Sequence, residues 1–193
     1  MSGWTTHTGR AIRIAAENID TDQLIPARFM STPRDQGYGS FLLHDLRTNP
    51  DGTARPSPLD SGGSVLIAGR NFGCGSSREA AVYALVDYGF RAVLAPSFGD
   101  IFAANAVNNG LLPATIAADV LAGLTTPDIT IDLSIPAVIN GAQTIPFELD
   151  PVWQQKIING WDDIDMTSQH TAQIDAFRAD YWARVPWAAP PQQ

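Results

Sequence analysis

The sequence has very little cysteine and histidine. Cys74 is the only cysteine among 193 residues, so the chain forms no internal disulfide. A single thiol also falls short of the set of cysteine ligands that an iron–sulfur cluster takes from a protein. His7, His44 and His170 lie far apart and show no metal-ligand spacing. These absences exclude a disulfide scaffold, and they predict that the chain binds no metal by itself.

Long apolar runs and positive charge are also scarce. No apolar run reaches the length of a membrane span, and the N-terminus does not resemble a signal peptide. The net charge of −8 argues against nucleic acids and anionic membranes as partners. A hydrophobic content of 45% predicts a globular soluble protein. The lack of a membrane span and of a signal peptide predicts a location in a cytoplasm of the bacterial type.

Positive charge is concentrated in the first half of the chain. Residues 1–100 contain nine arginines against ten acidic residues, whereas residues 101–193 contain two arginines and one lysine against another ten. The planar guanidinium group suits two-point binding of carboxylate or phosphate. A site for anions is therefore predicted in the first half.

A glycine-rich stretch in that half is the most informative motif. Residues 69–79 read GRNFGCGSSRE, after an apolar run at 64–68 and before a helical pattern. A strand, a glycine-rich turn and a helix start leave backbone N–H groups directed at one place, which attracts anions. The opening of this predicted anion site would be formed by Ser76, Ser77 and Arg78.

This stretch could also be a nucleotide-binding loop or a purely structural helix cap. Neither common nucleotide loop fits, because no lysine follows the glycines and Arg78 occupies the position of a third glycine. Ser76 and Glu79 also match a capping box, which would only start a helix. If Ser76 instead acts in catalysis, Ser77 is free to cap the helix.

Alternating strands and helices predict an α/β fold with parallel strands and right-handed crossovers. A first strand includes 11–14, and the alternating part comprises strands at 64–68, 91–95 and 111–114 with helices at 77–88 and 99–109. We expect one domain over 1–185, with a long loop at 31–63 and a loose tail at 186–193. The long loop is either a lid or specificity loop, or a surface excursion without a role.

The last third predicts a hairpin followed by helices. Strands at 129–134 and 143–148 flank the turn signal Asn140–Gly141. A helix capped by Asp150 then ends at Gly160. A final helix over 167–183 places Ile174, Phe177 and Tyr181 on one face.

Acidic residues cluster in the turn after the first strand. Asp20 and Asp22 together are a weak candidate for metal ligands, because no further ligand is near them in the sequence. Capping of the turn, or support of a neighbouring site, is the favoured interpretation.

Five motifs in one order resemble a known family. They are NIDTDQLIP at 18–26, GCGSSRE at 73–79, DYGF at 87–90, APSF at 95–98 and NNGLLP at 108–113. Together they resemble the small subunits of 3-isopropylmalate dehydratase, in the aconitase superfamily, from about residue 6 to about residue 182. The resemblance implies a β/β/α swivelling domain with a mixed sheet, parallel βαβ units and a C-terminal hairpin plus helices.

The resemblance also implies an activity and a partner. The activity is that of a hydro-lyase of leucine biosynthesis, which isomerises 2-isopropylmalate and 3-isopropylmalate by dehydration and rehydration. It requires a separate large subunit that carries a [4Fe–4S] cluster, in a heterodimer or larger assembly. This chain would bind no cofactor itself, and its small-molecule ligand would be a dicarboxylate.

Site residues follow by correspondence with the family motifs. Ser76 corresponds to the catalytic base. Substrate-binding positions correspond to Gly75, Ser77, Arg78 and Arg47. The segment around 37–41 resembles the part that faces the variable side chain of the substrate. Supporting positions correspond to Thr21, Asp22 and position 80.

Two positions depart from the family pattern. Ala80 stands where members usually have histidine, and 82–85 lacks the usual Pro-Trp pair. These departures do not change the predicted hydro-lyase reaction, but they leave a related substrate, such as citraconate or a methylmalate, as an alternative. A non-catalytic module that binds a dicarboxylate is a further alternative.

Overall fold

A seven-stranded mixed sheet forms the frame of the computed structural model, which describes residues 2–188. The strands in chain order are β1 (Thr6–Ile14), β2 (Val65–Ala68), β3 (Ala92–Ala95), β4 (Leu112–Thr115), β5 (Asp128–Asp132), β6 (Ala137–Asn140) and β7 (Gln143–Pro146). Their order across the sheet is β4-β3-β2-β1-β5-β6-β7. The first four pair in parallel and the last three are antiparallel, which confirms the predicted mixed sheet.

Eight α-helices accompany the strands within residues 2–188. They are α1 (Thr21–Leu24), α2 (His44–Arg47), α3 (Glu79–Tyr88), α4 (Asp100–Asn108), α5 (Ala118–Ala122), α6 (Pro151–Asn159), α7 (Asp163–Ser168) and α8 (Thr171–Arg184). The helices α3 and α4 connect parallel strands, as the alternating pattern predicts. None of the helices described is long and apolar enough to cross a membrane.

The core lies on both faces of the parallel strands. Side chains alternate along a strand, so Leu66 joins the cluster on the face of α3 while Val65 and Ile67 join the cluster on the opposite face. All four residues of β2 are buried. Burial on both faces explains why these strands appear in the sequence as continuous apolar runs.

The predicted C-terminal hairpin forms at the Asn140–Gly141 turn, but its first strand is β6 and not the predicted strand at 129–134. The strand β6 lies between the two predicted strands, and the Asn140–Gly141 turn joins β6 to β7. The side chain of Asn140 is buried and accepts hydrogen bonds from the backbone N–H groups of Thr125 and Thr126, at 3.0 and 3.3 Å. Asn140 therefore ties the turn to the segment before β5.

The helix α6 forms as predicted. The carboxylate of Asp150 accepts hydrogen bonds from the N–H groups of Val152 and Trp153 at 2.8 and 3.2 Å, and Gly160 ends the helix with φ 72°. Its one lysine, Lys156, is buried and pairs with Asp163 of α7.

The prediction of one final helix over 167–183 is wrong. The chain bends at Gln169–His170, so α7 and α8 are separate helices. The predicted apolar face of α8 lies in solvent: Phe177 is 65% exposed. Periodicity shows which residues share a face but not whether another element covers that face. Residues 186–188 form a 3-10 turn, and 189–193 of the predicted tail lie outside the described residues.

The long segment at 31–63 packs against the core and contains short helical elements. It contains α2 and 3-10 turns at Arg34–Gln36, Gly39–Phe41 and Pro58–Ser61. Leu42 and Leu59 are completely buried in the core cluster on the face of α3.

Candidate active site

The glycine-rich turn between β2 and α3 is held from two sides by backbone hydrogen bonds. On one side, Gly73 N–H donates to the carbonyl of Ile19 at 2.7 Å, and Thr21 N–H donates to the carbonyl of Cys74 at 3.0 Å. On the other side, Phe72 N–H donates to the carbonyl of Ser97 at 3.0 Å. The motifs at 18–26, 73–79 and 95–98 thus meet at the carboxyl ends of the parallel strands.

Two glycines allow the turn its shape. Gly73 has φ 71°, and a Cβ there would lie 2.2 Å from Cγ of Phe102. Gly75 has φ 94°, but the nearest atom to a Cβ there would be Cβ of Asp20, at 3.5 Å. Both conformations are unfavourable for residues with a side chain, and Gly73 also lacks the space for one.

The hydroxyl groups of Ser76 and Ser77 are not used in capping, so the capping-box interpretation is wrong. The N-cap of α3 is Arg78, which makes no side-chain capping bond. A tight turn places Arg78 N–H 2.8 Å from the carbonyl of Ser76, and this turn precedes the helix start. Among residues 2–188, neither serine hydroxyl has a hydrogen-bond partner, and both residues are exposed.

Thr21 and Asp22 hold the two sides of this serine turn. The buried Thr21 hydroxyl donates to the carbonyl of Ser76 at 3.0 Å. Asp22 forms an ion pair with Nη1 of Arg78, whose side chain is 21% exposed. Because this pair occupies one end of the guanidinium fork, the remaining N–H donors of Arg78 stay available to an anion.

The start of α4 forms the other wall of a shallow pocket at the serine turn. This pocket is lined by Gly73, Cys74, Gly75, Ser76, Gly99, Asp100, Ile101 and Phe102. The sequence interpretation missed the contribution of 99–102. The signal was available, because this stretch directly follows the APSF motif, which begins at the end of β3, the neighbour of β2.

Arg47 lies away from the serine turn. Its Nη1 donates to the carbonyl of Leu42 at 3.2 Å, and its guanidinium carbon lies 5.6 Å from the ring centroid of Tyr88. Tyr88 is the last residue of α3, whereas Arg78 is its N-cap, so the two arginines contact opposite ends of this helix. Within residues 2–188, no hydrogen bond or ion pair links Arg47 to the serine turn.

One atom of Arg47 nevertheless needs a partner. Its Nε is buried and has no hydrogen-bond acceptor among the described residues. Buried polar atoms without partners are rare in folded proteins, because the lost hydration is not replaced.

Ala80 lies beneath the turn rather than at its surface. It is 8% exposed and belongs to the core cluster on the face of α3. Over residues 2–188, no group of three or more His, Cys, Asp or Glu side chains is placed to hold a metal ion.

Comparison with known proteins gives the class to which this fold and turn belong. The family model described as the aconitase C-terminal domain matches residues 1–119. A small subunit of 3-isopropylmalate dehydratase from Parafrankia sp. (strain EAN1pec) is 41% identical, over 98% of this chain and all of that protein. The corresponding small subunit from Shewanella baltica (strain OS185) is 43% identical, over 95% of this chain and all of that protein.

A solved structure is similar over nearly the same extent. The crystal structure of 3-isopropylmalate dehydratase from Methanocaldococcus jannaschii has a TM-score of 0.68 and 28% identity, and the match covers 89% of this chain and 98% of that one. The chain belongs to the aconitase C-terminal domain family and, within it, to the family of 3-isopropylmalate dehydratase small subunits.

Proposed function

We propose that this chain is the small subunit of a hydro-lyase that isomerises 2-isopropylmalate and 3-isopropylmalate in leucine biosynthesis, in the cytoplasm. The exposed hydroxyl of Ser76, which has no hydrogen-bond partner among residues 2–188 and lies beside Arg78, is the observation that carries this proposal. The relatives that match along their whole length bear the same enzyme name. The reaction removes a hydroxyl and a neighbouring proton as water, and then adds water back with the positions exchanged.

Ser76 is the proposed base in this reaction. The proton to be removed lies on a carbon next to a carboxylate, so it is weakly acidic and needs a strong base. The Oγ of Ser76 accepts this proton and later returns it. Backbone N–H groups at the start of α3 and the guanidinium of Arg78 are the groups that stabilise the alkoxide form.

The other site residues bind and orient. The free donors of Arg78 bind one substrate carboxylate, Gly75 lines the adjoining pocket, and the exposed Ser77 next to Arg78 contributes its hydroxyl. Thr21 fixes the Ser76 carbonyl, and Asp22 fixes one edge of the Arg78 guanidinium. Arg47 is assigned to a second carboxylate because it corresponds to a substrate arginine of the family and its Nη2 makes no hydrogen bond among residues 2–188.

A large subunit completes the proposed site. The name "small subunit" of the relatives implies such a partner, and the single cysteine of this chain does not fit the ligand set of an iron–sulfur cluster. A [4Fe–4S] cluster therefore belongs to the partner, from which it would supply Lewis-acid chemistry. The assembly is a heterodimer or a multiple of one.

A coupled test addresses the substrate and the base together. The chain is co-expressed with its large subunit, the cluster is reconstituted without oxygen, and the absorbance of the unsaturated acid is followed with 2-isopropylmalate, citraconate and dimethylmalate. We expect 2-isopropylmalate to be preferred. Ser76→Ala should lower kcat by about 10²–10⁴-fold, because it removes the proton acceptor.

Controls separate catalysis from assembly. Ser168→Ala removes a hydroxyl from α7, outside the site, and should leave kcat unchanged. Gel filtration should show the same complex for both variants. A Ser76→Ala complex that assembles and retains wild-type kcat would contradict the role of the base. Preference for another diacid would assign that diacid as the substrate. No turnover of any diacid would favour a non-catalytic module that binds a dicarboxylate.

A further inference from the structure

Asp87, near the end of α3, binds two parts of the long segment that precedes β2. Its carboxylate oxygens accept hydrogen bonds from Nη1 and Nη2 of Arg34 at 2.6 and 2.9 Å. One of them also accepts from the backbone N–H of Tyr38 at 2.7 Å. The Asp87 side chain is only 20% exposed. A two-point, partly shielded pair of this kind is stronger than a typical surface ion pair.

Aromatic rings reinforce the same contact. The guanidinium carbon of Arg34 lies 4.3 Å from the ring centroid of Tyr83 on α3 and 5.5 Å from that of Tyr38. Tyr38 is buried, and its hydroxyl donates to the carbonyl of Thr32 at 2.9 Å. The backbone of Gly39 lies against that of Asp87, so that a Cβ on Gly39 would be 2.7 Å from the Asp87 carbonyl carbon. The segment 34–41 therefore lies directly on α3.

This contact continues to Arg47. The segment leads into α2, which ends at Arg47, and Leu43 N–H donates to the carbonyl of Leu24 at 2.9 Å. The Arg47 guanidinium lies beside Tyr88, the neighbour of Asp87 in sequence. The two ends of the stretch 34–47 thus rest on adjacent residues of α3.

We propose that Asp87 is a positioning residue: by holding 34–41 on α3, it fixes where Arg47 presents its guanidinium to a substrate carboxylate. This inference rests on the proposed function for the assignment of Arg47 to substrate binding. The carboxylate is present in the substrate and in the transition state alike. A displaced Arg47 therefore weakens both equally, which raises KM and leaves kcat nearly unchanged.

Asp87→Asn tests this in the assembled complex. The amide keeps the size of the side chain and one acceptor oxygen, but it loses the charge and the two-point contact with Arg34. We expect KM for 2-isopropylmalate to rise about tenfold, with kcat changed less than about threefold. Arg34→Lys keeps the charge without the planar fork and should give an intermediate KM.

A matched control makes the same substitution elsewhere. Asp180 pairs with Arg184 on the exposed helix α8, so Asp180→Asn removes an arginine–aspartate pair that includes none of the proposed site residues. It should leave KM unchanged. A merely structural role for Asp87 would reduce the amount of folded complex, and hence apparent kcat, without changing KM.

Hydrogen–deuterium exchange on the isolated full chain supplies a readout that does not depend on activity. In Asp87→Asn, amides of 34–47 should exchange about tenfold faster, while those of β2 and β3 stay as in wild type. Unchanged exchange at 34–47 would overturn the proposal, and so would faster exchange without a rise in KM. If the wild-type complex turns over no diacid, the proposed function fails. The positioning role is refuted separately if Asp87→Asn does not speed amide exchange in α2.

Discussion

Gly73→Ala tests whether the glycine-rich turn is fixed by lack of space. A methyl group at Gly73 would lie 2.2 Å from Cγ of Phe102. That ring is 3% exposed and packs edge-on against Phe72, with ring centroids 5.3 Å apart, and parallel to Phe98. Because aromatic neighbours surround it, the ring cannot move aside without disturbing the core.

The expected loss of stability has two parts. The left-handed conformation costs about 1–2 kcal/mol for a residue with a side chain, and overpacking costs about 1–3 kcal/mol. Gly73→Ala should therefore destabilise by about 2–5 kcal/mol. Gly75→Ala shares the conformational part only, because its Cβ would meet Asp20 at an ordinary 3.5 Å, and it should cost about 1–2 kcal/mol.

Urea unfolding of the isolated chain, followed by circular dichroism, measures both values. A double-mutant cycle with Phe102→Ala then isolates the contact. Removing the ring opens space, so Gly73→Ala should cost about 1–2 kcal/mol less in that background. Equal costs for Gly73→Ala and Gly75→Ala, or strict additivity with Phe102→Ala, would refute the reasoning.

Two further predictions concern other parts of the chain. Burial, followed by the charge of Arg91, lowers the pKa of His7 below 6.5, so the unfolded chain takes up a proton at a higher pH than the folded chain. The free energy of unfolding should therefore fall as pH drops from about 7.5 to about 5.5, and His7→Gln should reduce this pH dependence in urea titrations. Leu85→Ala should cost about 2–5 kcal/mol because Leu85 is fully buried. Phe177→Ala on the exposed face of α8 should change thermal stability by less than about 0.5 kcal/mol, and equal losses would contradict that exposure.

Local sequence signals predicted the elements that are determined locally. Continuous apolar runs indicated β2 and β3, because strands buried on both faces need apolar side chains at every position. Asp150 and Gly160 indicated the limits of α6, because a cap acts on its own helix. These signals need no knowledge of distant contacts.

The failures have several causes, and only some of them involve contacts that are distant in sequence. The strand β6 is short and follows a proline, and its identity depends on pairing with β5 and β7. The bend between α7 and α8 interrupts a pattern that fits one helix. The Arg34–Asp87 contact joins residues 53 positions apart, so no local pattern could have indicated it.

The sequence motifs predicted that the segments at 18–26 and 73–79 meet, whereas the roles of their residues stay predictions. The motifs brought Ser76, Arg78 and Asp22 together, since the turn and the segment at 18–22 share backbone hydrogen bonds. The capping-box match gave the wrong local geometry, because a tight turn at Ser76 competes with capping and delays the helix start to Glu79. The distance of Arg47 from the turn could not be read from spacing.

The position of Ala80 bears on substrate choice. Its methyl group lies in the core beneath the turn, with only 8% of the residue exposed. The departure from the histidine of the family therefore changes packing under the serine turn rather than the surface that a substrate meets. Under the proposed function, we therefore expect discrimination among substituted malates to depend on the exposed parts of 31–47 and on the partner subunit. Substitutions at Ala80 should accordingly act on stability before they act on substrate preference.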